Sequence, residues 1–138
     1  MRPPARIAAL VLLAACTTPA LPEDQRIDGI DWILIEANGM PWLENVSLRL
    51  DGDRLTGIGP CNAYSGRREG DAPDFAARDL NMTAMACADP ARMRAEAEYM
   101  DMLPQLTTLR RERDSLVLSG PDLILVYDRR EARGDDVF

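Results

Sequence analysis

Histidine and lysine are absent from this chain, and its 16 basic residues are all arginine. That removes much chemistry at once. No Ser-His-Asp triad or Cys-His dyad can be assembled, and no zinc site can use imidazole. General acid–base work would fall to carboxylates, tyrosine or a thiol of shifted pKa. The 23 acidic residues are scattered, and nothing marks out a pair such as a glycosidase sets across its cleft. Met82, Met85, Met93, Met100 and Met102 offer soft sulfur of the kind that holds copper(I). In a chain only 5% aromatic, flexible core filling explains them better. The run Gly57-Ile58-Gly59-Pro60-Cys61-Asn62 has Asn where a dinucleotide loop needs its third Gly, and no βαβ unit surrounds it. Asp51-Gly52-Asp53 is no calcium loop, because Thr56 and Asn62 stand where an EF-hand needs Gly and Glu. The expectation is a protein with no metal, no cofactor and no catalytic set.

The cysteines carry the sharper signals. Arg2 and Arg6, the apolar run Ile7 to Leu13 and the small residues before Cys16 have the layout of a secretory signal. The run is too short to span a bilayer. Leu13-Ala14-Ala15-Cys16 resembles the lipobox of bacterial lipoproteins, in which the peptide is cut before a cysteine whose thiol and new amino group are then acylated. That resemblance implies a signal peptide over 1–15, lipidation at Cys16 and a tether over 16–29. Extended, the ten residues from Thr17 to Arg26 would reach ~30 Å. If Cys16 carries lipid, Cys61 and Cys87 remain as an even pair in an oxidising compartment, and a disulfide is the natural inference. Two buried free thiols, or a reactive cysteine, are the rival readings.

Charge narrows the partners. Removing Arg2 and Arg6 from the 16 basic residues leaves 14 against 23 acidic ones, a net −9. Nucleic acid would be repelled overall. Attachment to a membrane should then come from lipid, not from charge. Arg110, Arg111 and Arg113 cluster, but on a strand they alternate faces and read as solvated surface.

A disulfide would draw Cys61-Asn62-Ala63-Tyr64-Ser65-Gly66 against Thr83-Ala84-Met85-Ala86-Cys87. Asn62, Tyr64, Ser65, Thr83 and Met85 would then share one surface. Satisfying loop backbone groups is the simpler role for them; a ligand or partner surface is the other.

These residues need elements to hold them. Asp31 to Glu36 is a short apolar run and predicts a strand buried on both faces, ended by Asn38-Gly39. Val46, Leu48 and Leu50 alternate with polar residues as a half-buried strand does. Asp51-Gly52-Asp53 predicts a hairpin turn into Arg54–Ile58. Ser65–Glu69 and Pro73–Arg78 pair more weakly around Gly70-Asp71, and Asp79 to Cys87 reads as irregular. Asp89-Pro90 is a strong helix start. Met93, Ala97, Met100 and Leu103 should face the core, with Arg92, Arg94, Glu96 and Glu98 in water. Pro104 marks the end of this helix. Leu106–Arg113, Ser115–Leu118 and Leu123–Tyr127 predict three more strands, and the polar residues to Phe138 should fray. The sum is an α+β fold: a small curved antiparallel meander with one helix inserted before the last strands.

The same residues carry a family resemblance. Trp32-Ile33-Leu34, Cys61-Asn62-Ala63-Tyr64-Ser65-Gly66, Thr83 to Cys87, Glu98-Tyr99 with Leu103, and the closing Leu116–Leu118 and Leu123–Tyr127 resemble the META domain of HslJ-like bacterial envelope proteins. Pro60 departs from the Gly that this family usually has before its cysteine. The resemblance implies a META domain over 30–129 and a polar tail over 130–138. It implies links to heat-shock response, drug tolerance or secretion in some members, and no established catalytic activity; the role expected here is support of envelope integrity or of stress and drug tolerance. It also favours the outer membrane, facing the periplasm, since Thr17 follows Cys16 where an inner-membrane retention signal would often place Asp. The overall expectation is a monomeric, non-enzymatic lipoprotein that has an envelope protein as partner. A periplasmic binding module or inhibitor is the alternative, and a carboxylate enzyme comes third.

Overall fold

The computed structural model describes residues 19, 20, 22 and 25–130. The expected signal segment over 1–15, the expected lipidation site Cys16 and most of the expected tail over 130–138 therefore lie outside the described residues. The strands are β1 (Asp31–Ala37), β2 (Met40–Pro41), β3 (Ser47–Asp51), β4 (Arg54–Ile58), β5 (Ala63–Glu69), β6 (Ala76–Met82), β7 (Thr108–Glu112), β8 (Ser115–Gly120) and β9 (Leu123–Arg129). They form one antiparallel sheet in the order β6-β5-β4-β3-β1-β9-β8-β7, with β2 paired to the end of β1. The two halves of the chain are thus joined where β1 lies between β3 and β9.

The sheet curls into a half-barrel whose outer edges meet at one point. Phe75 donates its N–H to the Thr107 carbonyl at 3.0 Å, and Leu109 donates to that of Pro73 at 2.8 Å. Elsewhere the gap between β6 and β7 is covered by α1 (Pro90–Met102) and a 3₁₀ turn, Leu103–Gln105. Asp89 caps α1, its carboxylate accepting from the Ala91 N–H at 2.8 Å, with Pro90 in the first helical position.

Alternation sets the core. Leu48 and Leu50 of β3, and Leu123, Leu125 and Tyr127 of β9, point inward with Trp32, Leu34, Leu55 and Leu103. Fully burying each leucine contributes about 1.5–3 kcal/mol relative to exposure. Ile33 is buried too, so Trp32-Ile33-Leu34 is covered on both faces as its apolar run predicts; Ile35 and Glu36 are only half-buried.

Three expectations are corrected, the first being that the methionines fill the core: Met82, Met85 and Met93 are exposed. Asp79–Met82 is not irregular but continues β6, with Tyr64 opposite Met82; the irregular stretch is Thr83 to Cys87. The helix also presents a different face. Glu96, Tyr99 and Met102 are its buried residues, while Met93 is 38% exposed and Ala97 is exposed. A polarity pattern sends Glu96 to water. What decides the face is that Glu96 and Tyr99 both find hydrogen-bond partners inside the barrel.

Candidate functional site

The two cysteine segments meet at one end of the barrel, where β4 ends, β5 begins and β6 ends. Cys61 and Cys87 are joined in a disulfide across 26 residues of sequence. Beneath it lies the Glu96 carboxylate, 2% exposed. Its Oε2 accepts the backbone N–H of Cys61 at 2.8 Å and of Asn62 at 2.6 Å. Its Oε1 accepts the Asn62 side-chain amide at 2.6 Å. Hydrogen bonds to a charged group are each worth about 1.5–3 kcal/mol net. A buried carboxylate without them would be strongly destabilising.

Asn62 passes this order to the second segment. Its amide also donates to the Met85 carbonyl at 3.0 Å. Its Oδ1 accepts from the Met85 N–H at 2.6 Å and from the Thr83 hydroxyl at 3.0 Å. One side chain thus holds the Thr83–Cys87 segment to the helix, independently of the sulfur bridge. Gly59 belongs to the same knot: a Cβ there would stand 2.8 Å from Glu96 Oε2. Arg92 donates to the Pro60 carbonyl and lies 3.6 Å from Glu44, tying the helix start to two loops.

A second polar feature runs through the core beside it. Tyr64 lies against Tyr99 edge to face, with ring centroids 5.5 Å apart. The Ser47 carbonyl can only accept, so the Tyr64 hydroxyl donates to it, at 2.6 Å. Tyr64 must then accept from Tyr99 at 2.8 Å, and Tyr99 from Tyr127 at 3.1 Å. Burial holds all three phenols well above the usual tyrosine range, with the neighbouring phenols adding to it. Gly57, opposite Tyr64 in register, makes room for this chain, since a Cβ there would sit 2.1 Å from Ser47 O and 2.3 Å from the Tyr64 hydroxyl.

Among the sequence-predicted site residues, Asn62 and Tyr64 are buried, whereas Ser65, Thr83 and Met85 are exposed. Asn62, Thr83 and Met85 come together in one hydrogen-bonded unit. Ser65 lies three residues beyond Asn62 and is not part of it. An open hollow of about 280 Å³ is bordered by Ala63, Tyr64, Ser65, Met82 and Thr83, with Met85 off its rim. Sequence reasoning missed Glu96, Tyr99 and Tyr127. The available signal was a Glu three residues before a Tyr on one helix, both on a single face. Among the described residues no cluster of His, Cys, Asp or Glu could hold a metal ion.

The comparisons agree with this architecture. Two solved structures, both determined by NMR, share the fold. One superposes with a TM-score of 0.61 at 20% identity, covering 78% of this chain and 95% of its own. The other, from Burkholderia xenovorans, gives 0.62 at 18%, covering 86% and 98%. No curated protein matches. The family model for the META domain matches residues 25–131, spanning the whole sheet, the helix and both cysteine segments, and the chain belongs to the META domain family.

Proposed function

We propose that this chain is a non-enzymatic bacterial envelope lipoprotein. Acylated Cys16 holds the META domain at a membrane, in the outer membrane facing the periplasm, where it supports envelope integrity under stress or contacts another envelope protein. The observation that carries this reading is Leu13-Ala14-Ala15-Cys16 behind an arginine-led apolar run. The Cys61–Cys87 bridge supports it, because such bonds persist in oxidising compartments. The non-enzymatic reading draws on how the buried polar groups are used: Glu96, Asn62 and the three tyrosines are all engaged with one another or with backbone. A partner would find exposed apolar side chains at this end, Leu43 and Met85 among them. The second reading, a periplasmic binding module or inhibitor, draws on the hollow beside Tyr64 and Met82.

Mass spectrometry of protein extracted from membranes tests the first reading. The expected species starts at residue 16, carries acyl mass on Cys16 and has Cys61 and Cys87 oxidised. Full-length unlipidated protein in the cytosol with all thiols alkylatable would overturn it. A deletion strain more sensitive to detergent, rescued by the wild type and not by Cys16→Ala, would tie the anchor to the role.

A further inference from the structure

At the opposite end of the barrel the entering chain is firmly seated. The Trp32 indole donates to the Ile27 carbonyl at 3.1 Å, Gly29 donates to that of Leu50 at 2.8 Å, and Asp28 pairs with Arg68 at 2.7 Å. Between this segment and the ends of β1, β3 and β9 lies a cleft of about 320 Å³, lined by Arg26, Arg49, Arg129, Arg130 and Asp31. Asp31 receives Arg49 at 3.3 Å and Arg130 at 3.8 Å. Asp51 receives Arg49 at 3.0 Å, and Asp114 receives Arg129 only at 4.0 Å. Arg26 has no carboxylate partner among the described residues. Among the described residues, four guanidiniums therefore face three carboxylates, Asp31, Asp51 and Asp114. This local surplus is hidden in a chain of net charge −7. Beyond about 8–10 Å, salt screens the distant acids from a ligand in the cleft.

We propose that this cleft binds a phosphate group, either the headgroup phosphate of an anionic phospholipid or a free phosphate compound. Guanidinium presents paired donors that match paired oxygens. Asp31 already engages two of these arginines with its two oxygens; a phosphate, with more oxygens and up to two charges, can engage those that Asp31 leaves over. The proposal stands apart from acylation of Cys16. Where that anchor holds, nine residues, 17–25, separate Cys16 from Arg26 of the cleft, which keeps the cleft near the bilayer surface.

The test uses the mature chain from residue 16 with Cys16→Ser, so that no acyl group contributes. Inorganic phosphate is titrated while the Gly29 and Ile30 amides and the arginine side-chain N–H signals are followed by NMR. In a second arm the protein is sedimented with phosphatidylcholine vesicles, with and without phosphatidylglycerol. Saturable shifts confined to the cleft, or sedimentation only with phosphatidylglycerol, support the proposal and identify the source. Arg26→Gln with Arg130→Gln should weaken binding about 25-fold, at roughly fivefold for each arginine near a phosphate surface. Arg94→Gln with Arg110→Gln removes the same charge elsewhere and should leave it unchanged. Equal weakening by both pairs, shifts reproduced by sodium chloride at equal ionic strength, or no saturable response in either arm would overturn it.

Discussion

At the end of the barrel that carries Cys61 and Cys87, polar side chains lie inside and apolar ones outside. Glu96 and Asn62 are 2% exposed, while Leu43 is 92% and Met85 65% exposed. Where the chain enters, the arrangement is reversed: Trp32 and Leu50 are fully buried, and the arginines around Asp31 face solvent. Both ends are rich in hydrogen-bond donors. The difference is whether those donors have acceptors, the buried indole N–H of Trp42 beside Leu43 being the exception at the disulfide end. At the disulfide end each oxygen of Glu96 and Asn62 that the knot uses is matched, so the polar groups build structure. At the entry end the arginines outnumber their carboxylate partners among the described residues, which is the surplus the proposed ligand would use. Substitution should therefore disturb stability at the first end and binding at the second.

The largest effect is expected at Asn62. Asn62→Ala removes the acceptor for the Met85 N–H and the Thr83 hydroxyl, and leaves Glu96 Oε1 without its amide donor. Losing a donor from the buried Glu96 carboxylate costs about 3 kcal/mol, and the two part-buried bonds to Met85 and Thr83 add about 0.5 kcal/mol each, so a loss of about 4 kcal/mol is expected in urea unfolding. Converting both Cys61 and Cys87 to Ser should lose slightly less, about 3.5 kcal/mol for a loop of this size on the chain-entropy account. Because Asn62 holds the same two segments, the serine variant should keep native shifts at Met85 and Thr83, while Asn62→Ala should lose them even with the bridge intact. The reverse result would make the bridge the organiser of this end and Asn62 a passenger.

The tyrosine chain sharpens the comparison through pH. Unfolded tyrosines ionise near pH 10. The three buried phenols are held neutral well above that. Their contribution to stability is therefore fully present below about pH 10 and is lost as pH rises toward the folded values, because the unfolded state then releases protons that the folded state keeps. Three such groups give a slope of up to about 4 kcal/mol per pH unit. Tyr127→Phe should cost only about 1 kcal/mol at pH 7, since Tyr99 loses one donor. It should also cut the alkaline slope by about a third, as read from denaturation midpoints between pH 9 and pH 11. An unchanged slope would mean that Tyr127 ionises alike in both states.

Much of the scaffold was legible locally. Alternation at Val46, Leu48 and Leu50, the Asp51-Gly52 turn and the Asp89-Pro90 cap each depend on neighbours within a few residues, and each element stands where those signals place it. The helix face was not legible. Glu96 meets Asn62 across 34 residues of sequence, and Tyr99 meets Tyr64 across 35. No periodicity rule anticipates that a carboxylate will be buried because a distant loop supplies its donors. Likewise Asp79–Met82 becomes strand only because Tyr64 and Ser65 lie beside it. The cleft escaped for a related reason. Arg26, Arg49 and Arg129 are far apart in sequence, and a summed charge conceals where opposite charges fail to meet.

The smallest stability effect is expected at that cleft. Arg130 is 64% exposed and reaches Asp31 only at 3.8 Å, while Arg49 holds the same carboxylate at 3.3 Å. Exposed pairs of this kind contribute about 0–1 kcal/mol, and here the carboxylate keeps its nearer partner. Arg130→Gln should therefore shift stability by no more than about 0.5 kcal/mol in urea unfolding. Were the loss to exceed about 1 kcal/mol, Arg130 would be as much a part of the framework as Asn62, and the two ends would be built alike. A negligible loss instead leaves a charged, well-seated cleft that the fold does not need, which is the condition for its donors to serve a phosphate.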